Sequence, residues 1–356
     1  MLQAVVLVGG MGTRLRPLTH EIPKQMLKVA GITMLERVVT RLGQIGVDRV
    51  VLSLGYKPDV FIKAFPSGKV GGVPICYAVE ETPLDTAGAI KFAAEYAGID
   101  STFLVVNGDV LCDFDLETLV SAHLNNRGLA TIALVPVEDP SAFGVVPTDS
   151  AGRVLAFIEK PARELAPSNF INAGIYVLEP QALSSVESGE RVSIERMVFP
   201  QLVSDGHLFA EPFEGYWVDA GTVSNFYSTS MHFRRILVGA SGGSISSKES
   251  LLVGKLPKGY TVSEDSLIAR NARIAESAVI LRSIIGDGVV IEAGAVIEDS
   301  IVMDRAIVAS YSRITDSIIG DEVEVPPETI VEELSVLALG CDIGAGERLS
   351  GQKIPS

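Results

Sequence analysis

The C-terminal third of the chain carries a repeat of aliphatic residues that few folds can accommodate. From Ile268 onward, isoleucine or valine recurs at intervals of six, six and five residues, which gives about four coils of about seventeen residues. A half-buried β-strand would alternate every two residues and an amphipathic helix every three or four. Hexapeptide spacing is typical of a left-handed parallel β-helix, in which each aliphatic side chain packs inside a triangular coil. The positions are 268, 274, 280, 285, 291, 297, 302, 308, 314, 319, 325, 331 and 336.

Residues 1 to about 235 follow a different rhythm, in which short apolar runs alternate with helix-like segments. This alternation predicts an α/β domain with a Rossmann-like, mostly parallel sheet covered on both faces. In such a sheet, ligands bind outside the carboxyl ends of the strands. The predicted strands are 4–8, 49–54, 75–78, 103–106, 131–137, 154–158, 173–178 and 208–212, and the predicted helices are 34–45, 58–65, 86–96, 116–125 and 193–203.

A change in composition separates the two parts of the chain. Residues 238–259 include the run Gly-Ala-Ser-Gly-Gly-Ser and few aromatic residues, which is typical of a linker. We therefore predict a first domain over residues 1–236, a linker over 237–258 and a β-helix domain over 259–356.

Charge and cysteine content limit the partners that we expect. The 356 residues carry a formal net charge of −15, which argues against a nucleic-acid-binding or anionic-membrane surface. The first residues lack a basic segment, and their apolar run is short and ends in glycines, so it predicts neither a signal peptide nor a membrane span. The three cysteines are scattered without metal-type spacing. Together these features predict a cytoplasmic protein with reduced thiols.

A glycine-rich loop directly follows the first predicted strand. The loop reads Gly9-Gly10-Met11-Gly12 and is followed by Thr13 and Arg14, with Lys24 a short distance beyond. Small residues let backbone N–H groups approach an anion, and the cations neutralise it, so the loop predicts a triphosphate site. It is not a Walker loop, because no Gly-Lys-Ser/Thr follows. It is not a dinucleotide fingerprint either, because Leu15 stands where the third glycine would be.

Two acidic residues also follow strand-like runs. Asp109 ends the run Val-Val-Asn-Gly-Asp, and Asp219 lies in Gly-Tyr-Trp-Val-Asp-Ala-Gly-Thr. A carboxylate beside a triphosphate loop can hold Mg²⁺. Taken alone, each motif is also compatible with a structural turn.

Between these motifs lie groups that suit a sugar phosphate. Lys160 offers an ammonium group to a phosphate, while Glu159 and Asn172 can accept and donate hydrogen bonds to hydroxyl groups. In isolation, the pair Glu159–Lys160 would be an ordinary solvated ion pair.

Taken in order, these motifs resemble those of the sugar-1-phosphate nucleotidyltransferases, also called nucleotide-sugar pyrophosphorylases. The matching elements are Gly-x-Gly-Thr-Arg, a Gly-Asp after a strand, Glu-Lys-Pro, Asn-Ala-Gly and Asp-x-Gly. The resemblance implies a GT-A-like nucleotidyltransferase domain with Arg14, Lys24, Asp109 and Asp219 as catalytic residues and Mg²⁺ on the two aspartates. It implies nucleotide contacts at Leu7, Gly9, Gly10, Gly12, Thr13, Arg14, Lys24, Glu80, Asp85, Thr86 and Asp109. It implies sugar-phosphate contacts at Gly144, Glu159, Lys160 and Asn172.

The segment after residue 79 bears on the choice of base. Guanine presents two adjacent donors, which suit a carboxylate such as that of Glu80 or Glu81. The string Glu-Glu-x-Pro-Leu-x-Thr-Ala-Gly is similar to that of the mannose-1-phosphate guanylyltransferases. Asp85 departs from that pattern, because glycine is usual there, and Gln25 is more like the thymidylyltransferases. Transfer from dTTP or UTP to glucose 1-phosphate therefore stays open as an alternative.

The reaction implied by the resemblance is mannose 1-phosphate + GTP ⇌ GDP-mannose + pyrophosphate. An anionic phosphate oxygen of the sugar attacks the α-phosphorus in line, so the reaction needs positioning and charge neutralisation and no general base. A regulatory subunit that senses nucleotide sugars is a second class, which the presence of all four catalytic residues disfavours. Acyl transfer by the β-helix is disfavoured, because its segment has no histidine to act as a base. The β-helix is instead expected to be an oligomerisation or regulatory module, and we expect a homo-oligomer, a dimer or a tetramer.

Overall fold

The computed structural model describes residues 2–241, 251–253, 261–263 and 265–355. The chain forms two compact units. The first contains residues 2–11 and Met34–Asp219, and the second contains Gly12–Thr33 and the described residues from 220 to 355. Across the described residues, every helix is too short or too polar to cross a bilayer.

Strands and helices alternate along the first 241 residues. In chain order they are β1 (Leu2–Leu7), β2 (Lys28–Val29), β3 (Ile32–Thr33), α1 (Met34–Gln44), β4 (Val47–Leu54), α2 (Pro58–Ala64), β5 (Lys69–Val70), β6 (Val73–Val79), α3 (Asp85–Ala97), β7 (Phe103–Asn107), β8 (Val110–Cys112), α4 (Leu116–Asn126), β9 (Ala130–Pro136), β10 (Gly144–Val145), β11 (Ile158–Glu159), β12 (Phe170–Leu178), α5 (Phe199–Ser204), β13 (Leu208–Pro212), β14 (Trp217–Asp219) and α6 (Val223–Ser241). Short 3₁₀-helices span Thr13–Leu15, Lys24–Met26, Arg163–Leu165 and Pro180–Leu183, and a π-helix spans Ile194–Val198.

The main sheet of the first unit is parallel at its centre and mixed at one side. Its strands lie in the order β11-β10-β12-β7-β1-β4-β6-β5, with β9 and β13 joined through β12. Strands β7, β1, β4 and β6 run parallel, whereas β12 runs antiparallel to both β7 and β9. Ala4, Val5 and Val6 of β1 are fully buried, because helices cover parallel sheets on both faces. Helix α3 packs on β1, β4 and β6 and supplies part of this core.

Most of the predicted strands and helices are confirmed to within three residues, and one prediction is wrong. The predicted strand 154–158 is absent: Val154 forms only an isolated bridge with Thr148, and pairing resumes at β11. The predicted helix 193–203 is confirmed to within one residue, and it consists of the π-helix followed directly by α5. Helix α6 and the short antiparallel pair β8–β14 were not predicted from the sequence.

The second unit contains a parallel β-helix with three faces. One face is formed by β15 (Leu251–Val253), β17 (Leu267–Ala269), β20 (Ile284–Ile285), β23 (Ile301–Val302), β26 (Ile318–Ile319), β29 (Val336–Leu337) and β31 (Lys353–Ile354). The second is formed by β16 (Thr261–Val262), β19 (Val279–Leu281), β22 (Val296–Glu298), β25 (Arg313–Thr315), β28 (Ile330–Glu332) and β30 (Arg348–Ser350). The third is formed by β18 (Arg273–Ile274), β21 (Val290–Ile291), β24 (Ile307–Val308) and β27 (Glu324–Val325).

The repeated aliphatic residues form the interior of the β-helix, as predicted. Ile280, Ile297 and Ile314 stack on consecutive coils and are each 0% exposed. The last predicted position is wrong by one residue: the residue that pairs with Ile319 in the interior column is Leu337, not Val336. The coil between them contains one extra residue, which sequence spacing alone did not anticipate.

The predicted linker 237–258 overlaps regular structure at two places. Residues 237–241 belong to α6 and residues 251–253 to β15, which pairs antiparallel with β17. The rest of the predicted linker lies outside the described residues, as do Met1, residues 259–260, residue 264 and Ser356 of the predicted domains.

Candidate active site

The glycine-rich loop begins where β1 ends, at the carboxyl edge of the main sheet. Leu7 pairs with Ser53 of β4 and with Asn107 of β7. The Gly108 amide donates to the Leu7 carbonyl at 2.9 Å, so the loops after β1 and β7 leave the sheet side by side. The predicted meeting of these two loops is therefore confirmed for their first residues.

The same edge brings the loop after β1 against the loop after β4. A Cβ atom on Gly9 would lie 3.3 Å from the amide nitrogen of Gly55, closer than most side chains approach backbone. Both Gly9 and Gly10 are exposed. Glycine at position 9 therefore keeps this edge open and leaves backbone available to a ligand.

The Glu80 side chain links the end of β4 to the start of α3. Its carboxylate accepts a hydrogen bond from the Ser53 hydroxyl at 2.9 Å and another from the Leu84 amide at 3.0 Å. These bonds fix the turn over residues 80–84 beside the glycine-rich loop. The predicted contact of Glu80 with a base stays a prediction.

Asp85 adopts a backbone conformation that favours glycine. Its φ is 59°, in the left-handed region, and its carboxylate accepts from the Thr86 amide at 2.9 Å. Aspartate is among the few other residues that visit this region, because its short side chain can bond locally. The backbone conformation that glycine would adopt is thus retained, and an exposed carboxylate is added at the N-terminal end of α3.

The hydroxyl of Thr86 joins α3 to the π-helix. It donates to the Glu195 carboxylate at 2.7 Å and accepts from the Ile194 amide at 2.8 Å. Ser193 donates to the same carboxylate at 2.7 Å. The predicted nucleotide contact of Thr86 would therefore come from a side chain that is already held in place.

The two predicted metal ligands lie on adjoining strands. Asp219 ends β14 and pairs across the β8–β14 ribbon with Val110, the residue that follows Asp109. Directly opposed Cα atoms in an antiparallel pair lie about 5 Å apart, and sequence neighbours about 4 Å, so the two aspartate backbones lie within about 10 Å. Asp109 is 8% exposed. Residues separated by 110 positions are thereby brought together.

These two carboxylates suit a divalent ion that also binds phosphate. Mg²⁺ in such sites is held by one or two carboxylates, with substrate phosphates and waters completing its shell. Within the described ranges, no cluster of three or more His, Cys, Asp or Glu side chains is arranged to hold a metal ion. Asp109 and Asp219 therefore fit a site that the substrate would complete.

The predicted sugar-phosphate residues lie on three neighbouring strands. Gly144 of β10 pairs with Glu159 of β11, and β10 pairs with β12 next to Asn172. Lys160 follows β11 with φ 48° and places its ammonium nitrogen 3.4 Å from the Glu159 carboxylate. The structure thus brings together all four predicted residues.

Local contacts explain why glycine stands at position 144 and how the side chain of Asn172 is held. A Cβ on Gly144 would lie 2.6 Å from the Phe157 ring, so only glycine fits between the ring and the strand. Asn172 accepts from the Gly174 amide and donates to the Tyr176 hydroxyl, both at 2.9 Å. Burial raises the pKa of Tyr176, so its phenol stays protonated.

Trp217 is a site-shaping residue that the sequence reasoning missed. Its indole nitrogen donates to the Ala173 carbonyl at 2.9 Å. Its ring packs edge-on against the Phe143 ring, with the two ring centroids 5.6 Å apart. It therefore ties the Asp219 strand to the Asn-Ala-Gly motif. Its status as the sole tryptophan, two residues before the aspartate, was the available signal.

The predicted cations belong to the second unit. Arg14 lies in the 3₁₀-helix Thr13–Leu15, and Lys24 begins the 3₁₀-helix Lys24–Met26. The two pieces meet at Gly12, whose φ is 63° and whose Cβ would lie 3.1 Å from the Cβ of Lys24. The Thr19 hydroxyl donates to the Gly12 carbonyl at 2.7 Å. Arg14 and Lys24 therefore extend from one compact loop, and Thr13 beside Arg14 is exposed.

Two family models match successive parts of the chain, and the first model also covers residues 12–33 and 220–235 of the second unit. Residues 3–235 match the nucleotidyl transferase model, and residues 253–349 match the model of the EIF2B subunit epsilon LbH domain, a left-handed β-helix. The second match gives the predicted handedness of the β-helix.

Curated relatives match most of the chain. A mannose-1-phosphate guanylyltransferase of Mycobacterium tuberculosis is 41% identical over 83% of this chain and 82% of that protein. The mannose-1-phosphate guanylyltransferase catalytic subunit beta of Dictyostelium discoideum is 37% identical over 64% of this chain and 63% of that protein.

Solved structures match the first part. HddC from Yersinia pseudotuberculosis, crystallised in complex with GMP-PN, is 30% identical with a TM-score of 0.57, and the match covers 65% of this chain and all of HddC. The resemblance seen in the sequence motifs is thereby confirmed. The chain belongs to the nucleotidyl transferase family and is a sugar-1-phosphate nucleotidyltransferase whose catalytic domain is followed in sequence by a left-handed β-helix.

Proposed function

We propose that the chain transfers a guanylyl group from GTP to mannose 1-phosphate, releasing pyrophosphate and forming GDP-mannose. The observation that carries the proposal is the 41% identity, over 82% of its length, to a protein named mannose-1-phosphate guanylyltransferase. The complex of HddC with GMP-PN supports a guanine nucleotide as the ligand of this fold.

The sheet edge supports the proposed nucleotide site. The exposed backbone of Gly9 and Gly10 would face the phosphates, and the loop that Glu80 fixes would face the base. Guanine offers adjacent N1–H and N2–H donors, so the exposed Asp85 carboxylate is a suitable acceptor. Arg14 and Lys24 would neutralise the triphosphate, which matters in a chain whose net charge is −15.

The strands β10, β11 and β12 support the proposed sugar site. Lys160 would bind the phosphate of mannose 1-phosphate, and Glu159 and Asn172 would bind ring hydroxyls beside Gly144. The attacking phosphate oxygen is already anionic at neutral pH, so these residues act by orienting it toward the α-phosphorus.

Asp109 and Asp219 would hold Mg²⁺, which when bound neutralises charge on the reacting phosphates. Replacing Asp219 by Asn should lower kcat by orders of magnitude while the fold survives. The matched control is Asp113→Asn, directly after β8. The Tyr216 amide donates a hydrogen bond to the Asp113 carboxylate at 2.8 Å, and the side-chain oxygen of asparagine can accept the same bond. Equal kcat in both variants would refute the metal assignment.

The substrate assignment is tested by measuring pyrophosphate release from GTP, ATP, UTP and dTTP with mannose 1-phosphate and glucose 1-phosphate. We expect the highest kcat/KM for GTP with mannose 1-phosphate. A preference for dTTP or UTP with glucose 1-phosphate would favour the alternative, for which Gln25 was the sequence signal. Gln25 is buried, at 1% exposed, which weakens that signal. Release from none of the eight pairs would favour the regulatory subunit.

A further inference from the structure

The loop that carries the catalytic cations is fixed to the β-helix by an ion pair. Lys28 places its ammonium nitrogen 2.5 Å from a carboxylate oxygen of Asp304 and 3.5 Å from one of Asp287. These aspartates lie at the same corner of consecutive coils, since the Asp287 amide donates to Asp304 at 3.0 Å. The same bond recurs one coil further, where the Asp304 amide donates to Asp321 at 2.9 Å. One oxygen of Asp304 thus fixes the coil while the other binds Lys28.

This ion pair is partly withdrawn from water. The side chain of Asp304 is 15% exposed and that of Lys28 is 35% exposed. Burial alone would lower the pKa of Lys28, but the bonds and charges of Asp304 and Asp287 outweigh it and raise that pKa. Lys28 therefore stays charged at neutral pH.

A short path of contacts leads from Lys28 to the cations. Lys28 begins β2, and only Leu27 separates it from the 3₁₀-helix Lys24–Met26; the Leu27 amide donates to the Lys24 carbonyl at 3.1 Å. The Cβ of Lys24 lies against Gly12, two residues before Arg14. A movement of Lys28 would therefore be passed to Lys24 and Arg14.

Apolar packing between this loop and the β-helix is incomplete. Leu18 packs at Gly320, but a pocket of about 170 Å³ that is open to solvent separates the two sides, with Leu18 and Leu27 on one side and Met303 and Ala338 on the other. Apolar contact therefore covers only part of the surface between this loop and the β-helix. The directional bonds of Lys28 are then the contacts best able to set its position.

We propose that Lys28 is a positioning residue through which the β-helix places Lys24 and Arg14 against the triphosphate. The β-helix is then part of the phosphate-binding machinery. This role rests on the proposed nucleotidyl transfer, whichever triphosphate and sugar phosphate are used.

The test is a double-mutant cycle of Lys28→Met and Asp304→Asn, with kcat, the KM of the triphosphate and the melting temperature measured for each variant. Asparagine at 304 keeps the oxygen that accepts the Asp287 amide. We expect each single variant to lose about tenfold in kcat/KM, because a displacement of 1 Å can cost about 100-fold. The double variant should lose no more than either single variant, and Lys28→Arg should retain most of the activity.

The matched control is Arg348→Met, which removes an ion pair of the same β-helix, 2.6 Å from Glu332. It should leave kcat/KM unchanged. Kinetics equal to wild type in both single variants, even with a lower melting temperature, would overturn the proposal, as would additive losses in the double variant. A wild-type chain inactive with every substrate pair would overturn the proposed function and this role together.

Discussion

Gly12 is the position at which one added methyl group should disturb phosphate binding most directly. Its φ of 63° lies in the left-handed region, and a Cβ there would lie 3.1 Å from both Lys24 and Thr19 side-chain carbons. Ordinary contacts begin near 3.4 Å, so Lys24 would have to move by a few tenths of an ångström. The left-handed conformation adds a cost of roughly 1–2 kcal/mol for alanine.

The predicted result for Gly12→Ala therefore has two parts. Stability of the second unit falls by roughly 1–2 kcal/mol. If a displacement of 1 Å costs about 100-fold, then a few tenths cost severalfold in kcat/KM. The assays are denaturant unfolding and initial rates of pyrophosphate release.

Gly346→Ala is the control that separates these two parts. Its φ is 73°, in the same unit, but nothing lies within 4 Å of the Cβ it would gain. It should lose a similar amount of stability and no activity. If Gly12→Ala keeps the kcat/KM of wild type, or if Gly346→Ala loses as much, then the contact between Gly12 and Lys24 does not position the cation.

Three further outcomes are expected from other parts of the chain. Ile297→Ala should lower the free energy of unfolding of the β-helix by about 2–5 kcal/mol, because Ile297 is 0% exposed, whereas Val296→Ala on the outward side should cost less, as urea unfolding would reveal. Burial lowers the pKa of His123 from 6.5, although Glu179 opposes this shift, so below about pH 6.5 the unfolded chain binds more protons than the folded chain. The melting temperature should therefore decrease as the pH is lowered through this range, and His123→Gln should make that decrease smaller. Burial raises the pKa of Cys112, so iodoacetamide near pH 8 should label it at least about tenfold more slowly in the folded than in the unfolded chain, by peptide mass spectrometry.

The sequence predicts those parts of the fold that have a local period. Inward aliphatic residues at six-residue spacing specify the β-helix, because each coil must fill its own interior. The spacing predicts the wrong inward-facing residue at the last position. One added residue at a corner of that coil places Leu337, and not Val336, in the interior column, and the composition of the segment gives no sign of it. Likewise, an apolar run such as β1 predicts a buried parallel strand. Residues 154–157 look strand-like but have only an isolated bridge at Val154, and regular pairing begins at Ile158 of β11.

Contacts between distant residues lie beyond such reasoning. The pairing of Asp219 with Val110 needs a ribbon of two three-residue strands, which are too short to carry a period. The ion pair of Lys28 with Asp304 joins residues 276 positions apart, and neither residue type signals the other. Site residues could be named from motif order, but the support beneath them required the structure.

The central claim is that this chain joins a nucleoside triphosphate to a sugar 1-phosphate, and running the reaction backward tests it most directly. Purified chain would be incubated with GDP-mannose, Mg²⁺ and labelled pyrophosphate, and labelled nucleotide would be separated and counted. The account predicts labelled GTP at a rate that Asp219→Asn reduces by orders of magnitude. Absence of labelled triphosphate with GDP-mannose, and equally with UDP-glucose and dTDP-glucose, would contradict it.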